Sequence, residues 1–419
     1  MLRYVDTATQ SIDPYEAYVP AAQLEHVRAL ARDLRGARIL QLNATPYGGG
    51  VAELLNSLVP LEKGLGLDVT WGVIIAEPSF FTLTKRLHNA LQGAPAFEVG
   101  AEELAAYVRH NQHVADAIRG KYDVVIVHDP QPAPVRRLTA DGAARWIWRV
   151  HLDLSAYNED AWRFLEHYVD AYDAFVFTMP DFIPNQLGDG RVYCFPPAID
   201  PLSPKNMPLS AEVRDAIVRW AGVRLDRPIL TQVSRFDPWK DPLGVIRVYR
   251  ELREKHPALQ LALLGSMALD DPEGWSVYQQ ITEDVEGDAQ IHVASNFTGI
   301  GNLEVNAFQS ASDVVIQKSI REGFGLIVSE TLWKGTPIVA GRTGGIPMQM
   351  SDGEGGFLVS REEDWVPRID ALLSNPDEAR RIGALGRERV RERFLITRLL
   401  EDELSLMAGV RAGAPAPGS

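Results

Sequence analysis

Short β-branched, apolar runs alternate with helical stretches along this chain, and the alternation occurs twice. ARILQLN (37–43), YDVVIVH (122–128), RWIWRV (145–150) and DAFVFT (173–178) read as buried strands, with helical patterns at 21–35, 51–64, 101–119 and 158–171. After about residue 225 the rhythm restarts. RPILTQVS, ALQLALLG, SDVVIQKS and GTPIVAG are strands there, and 242–255, 301–310 and 325–334 are helices. Strand–helix–strand units pair their strands in parallel through right-handed crossovers, and a parallel sheet is covered by helices on both faces. The expected fold class is therefore α/β, with two Rossmann-like doubly wound domains. Between the halves, FPPAIDPLSPKNMPLS (195–210) has five prolines and no periodicity, and reads as a linker. The expected domains are 1–195 and 211–390, with 196–210 linking them. The helical end, 376–408, suits closure of either domain.

The unusual residues fall just after the strands. ATPYGGG follows 37–43, DPQP follows 122–128, HLDLS follows 145–150, RFDPWK follows 228–234, REGFG follows 312–319 and RTGGIP follows 335–340. In parallel α/β sheets, ligands bind at the carboxyl ends of the strands. Two such domains facing each other would form a cleft fed by both sets of loops.

Each cluster has a chemical and a bland reading. Gly48, Gly49 and Gly50 precede a helix, where bare amides and the helix dipole favour an anion, but three glycines also make a tight turn. The pattern is neither G-x-G-x-x-G nor a Walker A motif. Arg235 and Lys240 on one strand-end loop suit a diphosphate, or else pair with Asp237 and Asp241 as surface charges. Gly323, Phe324 and Gly325 lead into a helix at Leu326, whose free amides again suit an anion. Glu322 precedes that helix and Glu330 lies on its second turn, so the two carboxylates face different parts of one ligand. Glu330 suits the vicinal hydroxyls of a ribose, and Glu322 those of a sugar ring. Read alone, Glu330 fits an exposed helix face, and Gly344 and Gly345 fit a turn. Asp129, His151 and Asp153 end strands, but His-x-Asp without further ligands is a weak metal pattern, and no D-x-D motif is present.

Composition narrows the partners. A net charge of −14 without a basic run disfavours a nucleic-acid backbone. The single cysteine, Cys194, forms no intramolecular disulfide, which suits a reducing cytoplasm. The amino-terminal stretch lacks a signal-peptide pattern, and no apolar run reaches the roughly 18 residues of a membrane span. AGAPAPGS (412–419) reads as a disordered tail.

Taken together, these segments resemble glycosyltransferase family 4. The family carries a Glu, seven residues, then a Glu, matched by Glu322 and Glu330 in EGFGLIVSE, and an Arg and Lys five apart, matched by Arg235 and Lys240. GGGVAELLNSLVPL, VHDPQP, SRFDPWKDP, DDPEGW and REGFGLIVSETLWKGTPIVA resemble its trehalose-forming synthases and, more distantly, trehalose phosphorylases. The resemblance covers roughly 35–400; the first thirty-odd residues match nothing recognised.

The resemblance implies a GT-B architecture, two Rossmann-like domains facing across a cleft, with a last helix (391–410) returning to the first domain. It implies reversible, retaining transfer of glucose from UDP-, ADP- or GDP-glucose to free glucose, giving α,α-trehalose. Arg235, Lys240 and Glu322 would be catalytic. Donor binding would involve Gly49, Gly50, His151, Arg235, Lys240, Glu322, Gly323, Phe324, Gly325, Leu326 and Glu330, and acceptor binding Asp129 and His151. No metal and no cofactor would be required, and the partners would be these small molecules rather than nucleic acid or membrane. The oligomeric state stays open, a homodimer being one option. A phosphorylase is the nearest rival; a sugar-nucleotide epimerase, a glycoside hydrolase and a non-catalytic sugar-nucleotide sensor rank below it.

Overall fold

A computed structural model describes residues 1–47, 49–140, 144–187, 190–267 and 273–413. Gly48, the first half of DDPEGW and the tail beyond 413 lie outside the described residues. The chain forms two compact units: Met1–Pro197 with Ile396–Ser419, and Ala198–Leu395.

The first unit contains β1 (Leu2–Val5), β2 (Arg38–Asn43), β3 (Asp68–Ile74), β4 (Val124–His128), β5 (Arg145–Arg149), β6 (Ala174–Phe177) and β7 (Val192–Cys194). They lie in the order β1-β3-β2-β4-β5-β6-β7. β1 runs antiparallel to β3 and the other pairs are parallel. The parallel order reverses between β2 and β4, which creates a switch point at their carboxyl ends. Trp146, Trp148, Trp162, Tyr172 and Phe175 fill the core beside the sheet. The helix Ile396–Ala412 packs on Ala21–Asp33. Its apolar residues Ile396, Leu399, Leu400, Leu404 and Met407 recur at helical spacing and are buried, and Glu403 lies on the same buried side.

The second unit contains β8 (Ile229–Arg235), β9 (Gln260–Ser266), β10 (Ile291–Ser295), β11 (Val314–Gln317), β12 (Ile338–Gly341), β13 (Ser351–Asp352) and β14 (Gly355–Val359). The order is β10-β9-β8-β11-β12-β14-β13, all parallel. Here the switch point lies between β8 and β11. Two apolar clusters, around Tyr249, Leu252 and Ile316 and around Val218, Val233 and Phe308, hold the helices to the sheet.

Several elements differ from the sequence reading. β1 is a four-residue edge strand, too short to show a period. β3, DVTWGVI, is interrupted by Asp68, Thr70 and Gly72 and so does not stand out as an apolar run. The helical end is two helices, Pro376–Arg393 and Ile396–Ala412, divided at Phe394 and Leu395. Phe394 leaves the helical region (φ −128°, ψ 23°), and Leu395 bridges to Ile199. Residues 198–210, read as linker, lie in the second unit with Asp200, Lys205 and Asn206 buried. Proline removes helical periodicity but does not prevent packing: Asn206 Nδ2 donates to the Asp200 carbonyl at 3.1 Å, and the Asn206 carbonyl accepts from Trp333 Nε1 at 3.1 Å. No helix among the described residues is long and apolar enough to cross a membrane.

Candidate active site

In the second unit, β8 delivers Arg235 to the carboxyl edge of the sheet, and the chain turns through Pro238–Lys240 into the helix Pro242–Lys255. The turn is built by its aspartates. Asp237 Oδ1 accepts from Trp239 N at 2.8 Å while its Oδ2 takes Arg235 Nη2 at 3.1 Å. Asp241 sits in the left-handed region (φ 43°) and caps the following helix through Gly244 N at 3.0 Å. A Cβ on Gly244 would lie 2.0 Å from Asp241 Oδ2, so the cap requires glycine there.

Across the switch point, the segment after β11 meets this turn. Ile320 N donates to the Trp239 carbonyl at 2.8 Å. Lys240 Nζ and Glu322 Oε2 form an ion pair at 2.5 Å, spanning 82 residues of sequence. Gln317 Nε2 and Ser319 Oγ also reach Glu322 Oε2, at 3.3 and 3.2 Å. Lys318, unremarked in the sequence, is buried and pairs with Asp241 at 2.5 Å and Glu362 at 2.9 Å. Asp241 therefore takes Lys318, while Lys240 turns to Glu322. Arg235 does pair with Asp237, but over a strand end rather than as a remote surface pair.

The helix Leu326–Trp333 starts from Gly325 (φ 81°) with no side-chain cap. Its first amides therefore keep their donor capacity at the same edge. The loop Glu322–Gly325 rests on Gly344 and Gly345. A Cβ on Gly344 (φ 51°) would lie 1.5 Å from the Glu322 carbonyl oxygen, and one on Gly345 would lie 2.7 Å from that of Gly323. These glycines thus hold the loop down rather than merely making a turn.

Glu330 is 2 % exposed, not on a solvated face. Its Oε1 pairs with Lys205 Nζ at 3.2 Å, and Lys334 Nζ bonds the Glu330 carbonyl at 3.0 Å and Asn206 Oδ1 at 2.9 Å. Burial draws the Lys334 ammonium down to about 7, with Glu330 opposing and Lys205 reinforcing the shift. Lys205 could not be found by periodicity, because it sits among prolines.

In the first unit, Gly49 is the N-cap residue of the helix Gly50–Gly64. Its backbone is extended (φ −159°, ψ 164°), and a Cβ there would meet nothing within 4 Å. Neither strain nor internal packing calls for glycine at this position, and the space beside it is open. Asp129 follows β4 in the left-handed region (φ 63°). Its Oδ1 accepts from His151 N at 2.8 Å, joining the ends of β4 and β5. Burial raises its carboxyl to about 7, although His151 N and Arg149 both oppose this. His151 Nε2 lies 3.0 Å from His128 Nδ1, the rings stacked 5.3 Å apart, and His128 Nε2 lies 2.8 Å from Gln41 Oε1. Burial holds both imidazoles well below their usual range, so both are neutral. Asp153 bonds Ser155 N and Oγ and builds the loop after β5. Among the described residues, no three His, Cys, Asp or Glu side chains gather as a metal site would require.

Residues 41–184 match the family described as "Trehalose synthase, N-terminal domain", and residues 214–389 match "Glycosyl transferases group 1". A trehalose synthase of Rubrobacter xylanophilus is 48 % identical over 413 residues, covering 97 % of this chain and 99 % of the relative. The chain belongs to the trehalose synthase family. Another family member, from Thermococcus litoralis, is 43 % identical over 94 % of this chain and 96 % of its own. A trehalose phosphorylase of Pleurotus pulmonarius is 28 % identical, matching 83 % of this chain but 54 % of the relative. As a member of this family the chain is a glycosyltransferase. Among solved structures, sucrose-phosphate synthase from Thermosynechococcus elongatus has a TM-score of 0.70 at 17 % identity, covering 90 % of this chain and 100 % of that one. A structure described as trehalose-6-phosphate from E. coli bound with UDP-2-fluoro glucose has a TM-score of 0.71 at 15 % identity, covering 89 % and 99 %. These likenesses establish the GT-B fold of two Rossmann-like units.

Proposed function

We propose that the protein is a retaining glucosyltransferase that moves glucose reversibly from a nucleoside diphosphate glucose to the C1 hydroxyl of free glucose, forming α,α-trehalose. The observation that carries this is the cationic edge of the second unit. Arg235, Lys240 and the uncapped start of the helix Leu326–Trp333 meet at one switch point, in a chain 48 % identical to a trehalose synthase.

The bond broken joins glucose C1 to a phosphate oxygen, and the bond formed joins C1 to the acceptor oxygen. Charge grows on the departing diphosphate, so positioned cations and amide dipoles that strengthen with that charge lower the barrier. Arg235, Lys240 and the amides of Gly323, Phe324, Gly325 and Leu326 take this role. Glu322, drawn against Lys240, holds hydroxyls of the transferred glucose. Gly49 and Gly50 offer amides beside open space to the donor. His151 contacts the transferred sugar and Asp129 the acceptor. The acceptor proton passes to the departing phosphate oxygen, which leaves the two products balanced without a further base. UDP-, ADP- and GDP-glucose are the candidate donors.

The deciding experiment offers each donor with glucose, with and without inorganic phosphate, and identifies the disaccharide and nucleotide released. Trehalose with stoichiometric nucleoside diphosphate is expected. Trehalose formed only from glucose 1-phosphate would instead establish a phosphorylase. Because the guanidinium and ammonium supply the positive charge, turnover is expected to persist in EDTA; loss that magnesium restores would contradict that role.

Glu330 would hold the ribose, sharing the carboxylate with Lys205. Glu330→Ala is expected to weaken donor binding about tenfold or more and glucose binding little, read by titration calorimetry of each. Equal loss for both ligands would remove Glu330 from the ribose. Asp129 yields a pH signature. Its carboxylate, which only accepts hydrogen bonds, grows as pH rises through about 7. The KM for glucose is therefore expected to fall by roughly an order of magnitude from about pH 6 to about pH 8, and Asp129→Asn should flatten the profile. An unchanged profile in Asp129→Asn would assign the titration elsewhere.

A further inference from the structure

Behind His151 runs a buried chain of polar groups that the transfer chemistry does not itself use. His128, Gln41, Glu62, Arg149 and Glu403 are each 2 % exposed or less. They come from β4, β2, the helix Gly50–Gly64, β5 and the helix Ile396–Ala412. Gln41 Nε2 reaches Glu62 Oε1 at 3.5 Å, and the same side chain hydrogen-bonds Glu403. Arg149 Nη1 pairs with Glu403 Oε1 at 2.7 Å. Glu62 Oε2 and Glu403 Oε2 have no partner among the described residues.

Charge balance sets the protonation. The buried Arg149 guanidinium pairs with Glu403 and feels the charges of Arg398, Asp402 and Asp129, whereas the charge that bears on Glu62 is that of Glu403. Full negative charge on both of the neighbouring buried carboxyls, Glu62 and Glu403, would be costly in this interior. Burial and the neighbouring Glu403 push the Glu62 carboxyl up, while Arg149 opposes the rise at Glu403. Glu403, held by Arg149, therefore carries the charge, and Glu62 carries the proton.

The direction of every later bond follows. With its amide hydrogens directed to Glu62 and Glu403, Gln41 can only turn its oxygen to His128. His128 must then donate from Nε2, which leaves its Nδ1 bare. That lone pair accepts from His151, so His151 is protonated at Nε2. We propose that Gln41, Glu62, Glu403 and His128 are positioning residues that fix His151 as the neutral Nε2-protonated tautomer, so that its Nδ1 accepts a hydrogen bond from a sugar hydroxyl. This rests on the reading that His151 contacts the sugar.

The test is nitrogen NMR of the full chain with isotope-labelled histidine, His128 and His151 being assigned by their alanine variants. The expected spectrum shows a protonated Nε2 and a bare Nδ1 for both rings from about pH 6 to about pH 8. A wild-type His151 protonated at Nδ1, or cationic in that range, overturns the proposal without any variant. In Gln41→Leu the His151 tautomer is expected to become mixed. There kcat/KM should fall about tenfold while binding of nucleoside diphosphate stays within about twofold. A Gln41→Leu protein with the wild-type His151 signature and unchanged kcat/KM also overturns it. If no trehalose forms, the transferase reading fails while the spectrum still decides the tautomer. If trehalose forms but His151 is protonated at Nδ1, only the present proposal fails.

Discussion

Arg235→Ala is expected to lower kcat by more than tenfold, towards the roughly 10²–10³-fold lost when one donor to a developing anion is removed. The guanidinium stands at the end of β8 and is held by Asp237 Oδ2 at 3.1 Å. Its direction is thus set before substrate arrives, and little reorganisation is needed as charge moves onto the diphosphate. The change should appear in kcat at saturating donor, because the interaction strengthens in the transition state. Arg235→Lys should restore little, since an ammonium cannot reproduce the planar fork that holds Asp237 and, in the proposed role, would reach a phosphate oxygen as well. Removing the guanidinium also leaves the buried Asp237 carboxylate without this partner, so Arg235→Ala/Asp237→Asn separates lost catalysis from a disturbed turn. Normal turnover in both variants would take Arg235 out of the mechanism.

The largest effect on stability is expected at Glu403. Glu403→Ala leaves the Arg149 guanidinium buried without its carboxylate, a change that typically costs about 3–5 kcal/mol. Arg149 is 2 % exposed and also lies 4.7 Å over the Phe195 ring, so it cannot readily turn to solvent. The check is the urea midpoint of the first unit's transition. Arg149→Met/Glu403→Met should recover most of the loss, because paired apolar residues of similar volume incur no desolvation of charge. A single Glu403→Ala change within about 0.5 kcal/mol of wild type would show that water or another group already satisfies Arg149.

What the sequence made legible was local. Arg235, Lys240, Glu322 and Gly323–Leu326 could be placed because a strand run, a turn signal and a helix pattern follow one another, and parallel strands end where ligands bind. The pairing of Lys240 with Glu322 could not be read, since the strand order β8-β11 that joins them is tertiary. Lys205 was hidden for the opposite reason: its segment has no period, yet its backbone is fixed by Asp200 and Asn206. Glu330 resembles any polar residue on a helix until the burial of Val328, Ser329, Thr331 and Leu332 around it shows that the helix is enclosed. Glu62 left a fainter trace, a lone acid in the apolar run LLNSLVPLEKG, where a charge on a buried helix requires a partner. Its hydrogen-bond partner, Gln41, lies on β2, and Glu403, whose charge bears on it, stands on the last helix, so no local pattern could connect them.

That the first unit is completed by Ile396–Ser419 has a consequence for biosynthesis. A ribosome delivers residues at about 5–20 per second, and domains tend to fold as they emerge. Here all of Ala198–Leu395 is translated before the helix that its predecessor still lacks, so the first unit cannot be completed until the later unit has been made. Until then Arg149 has no Glu403 to meet, and its guanidinium must stay solvated.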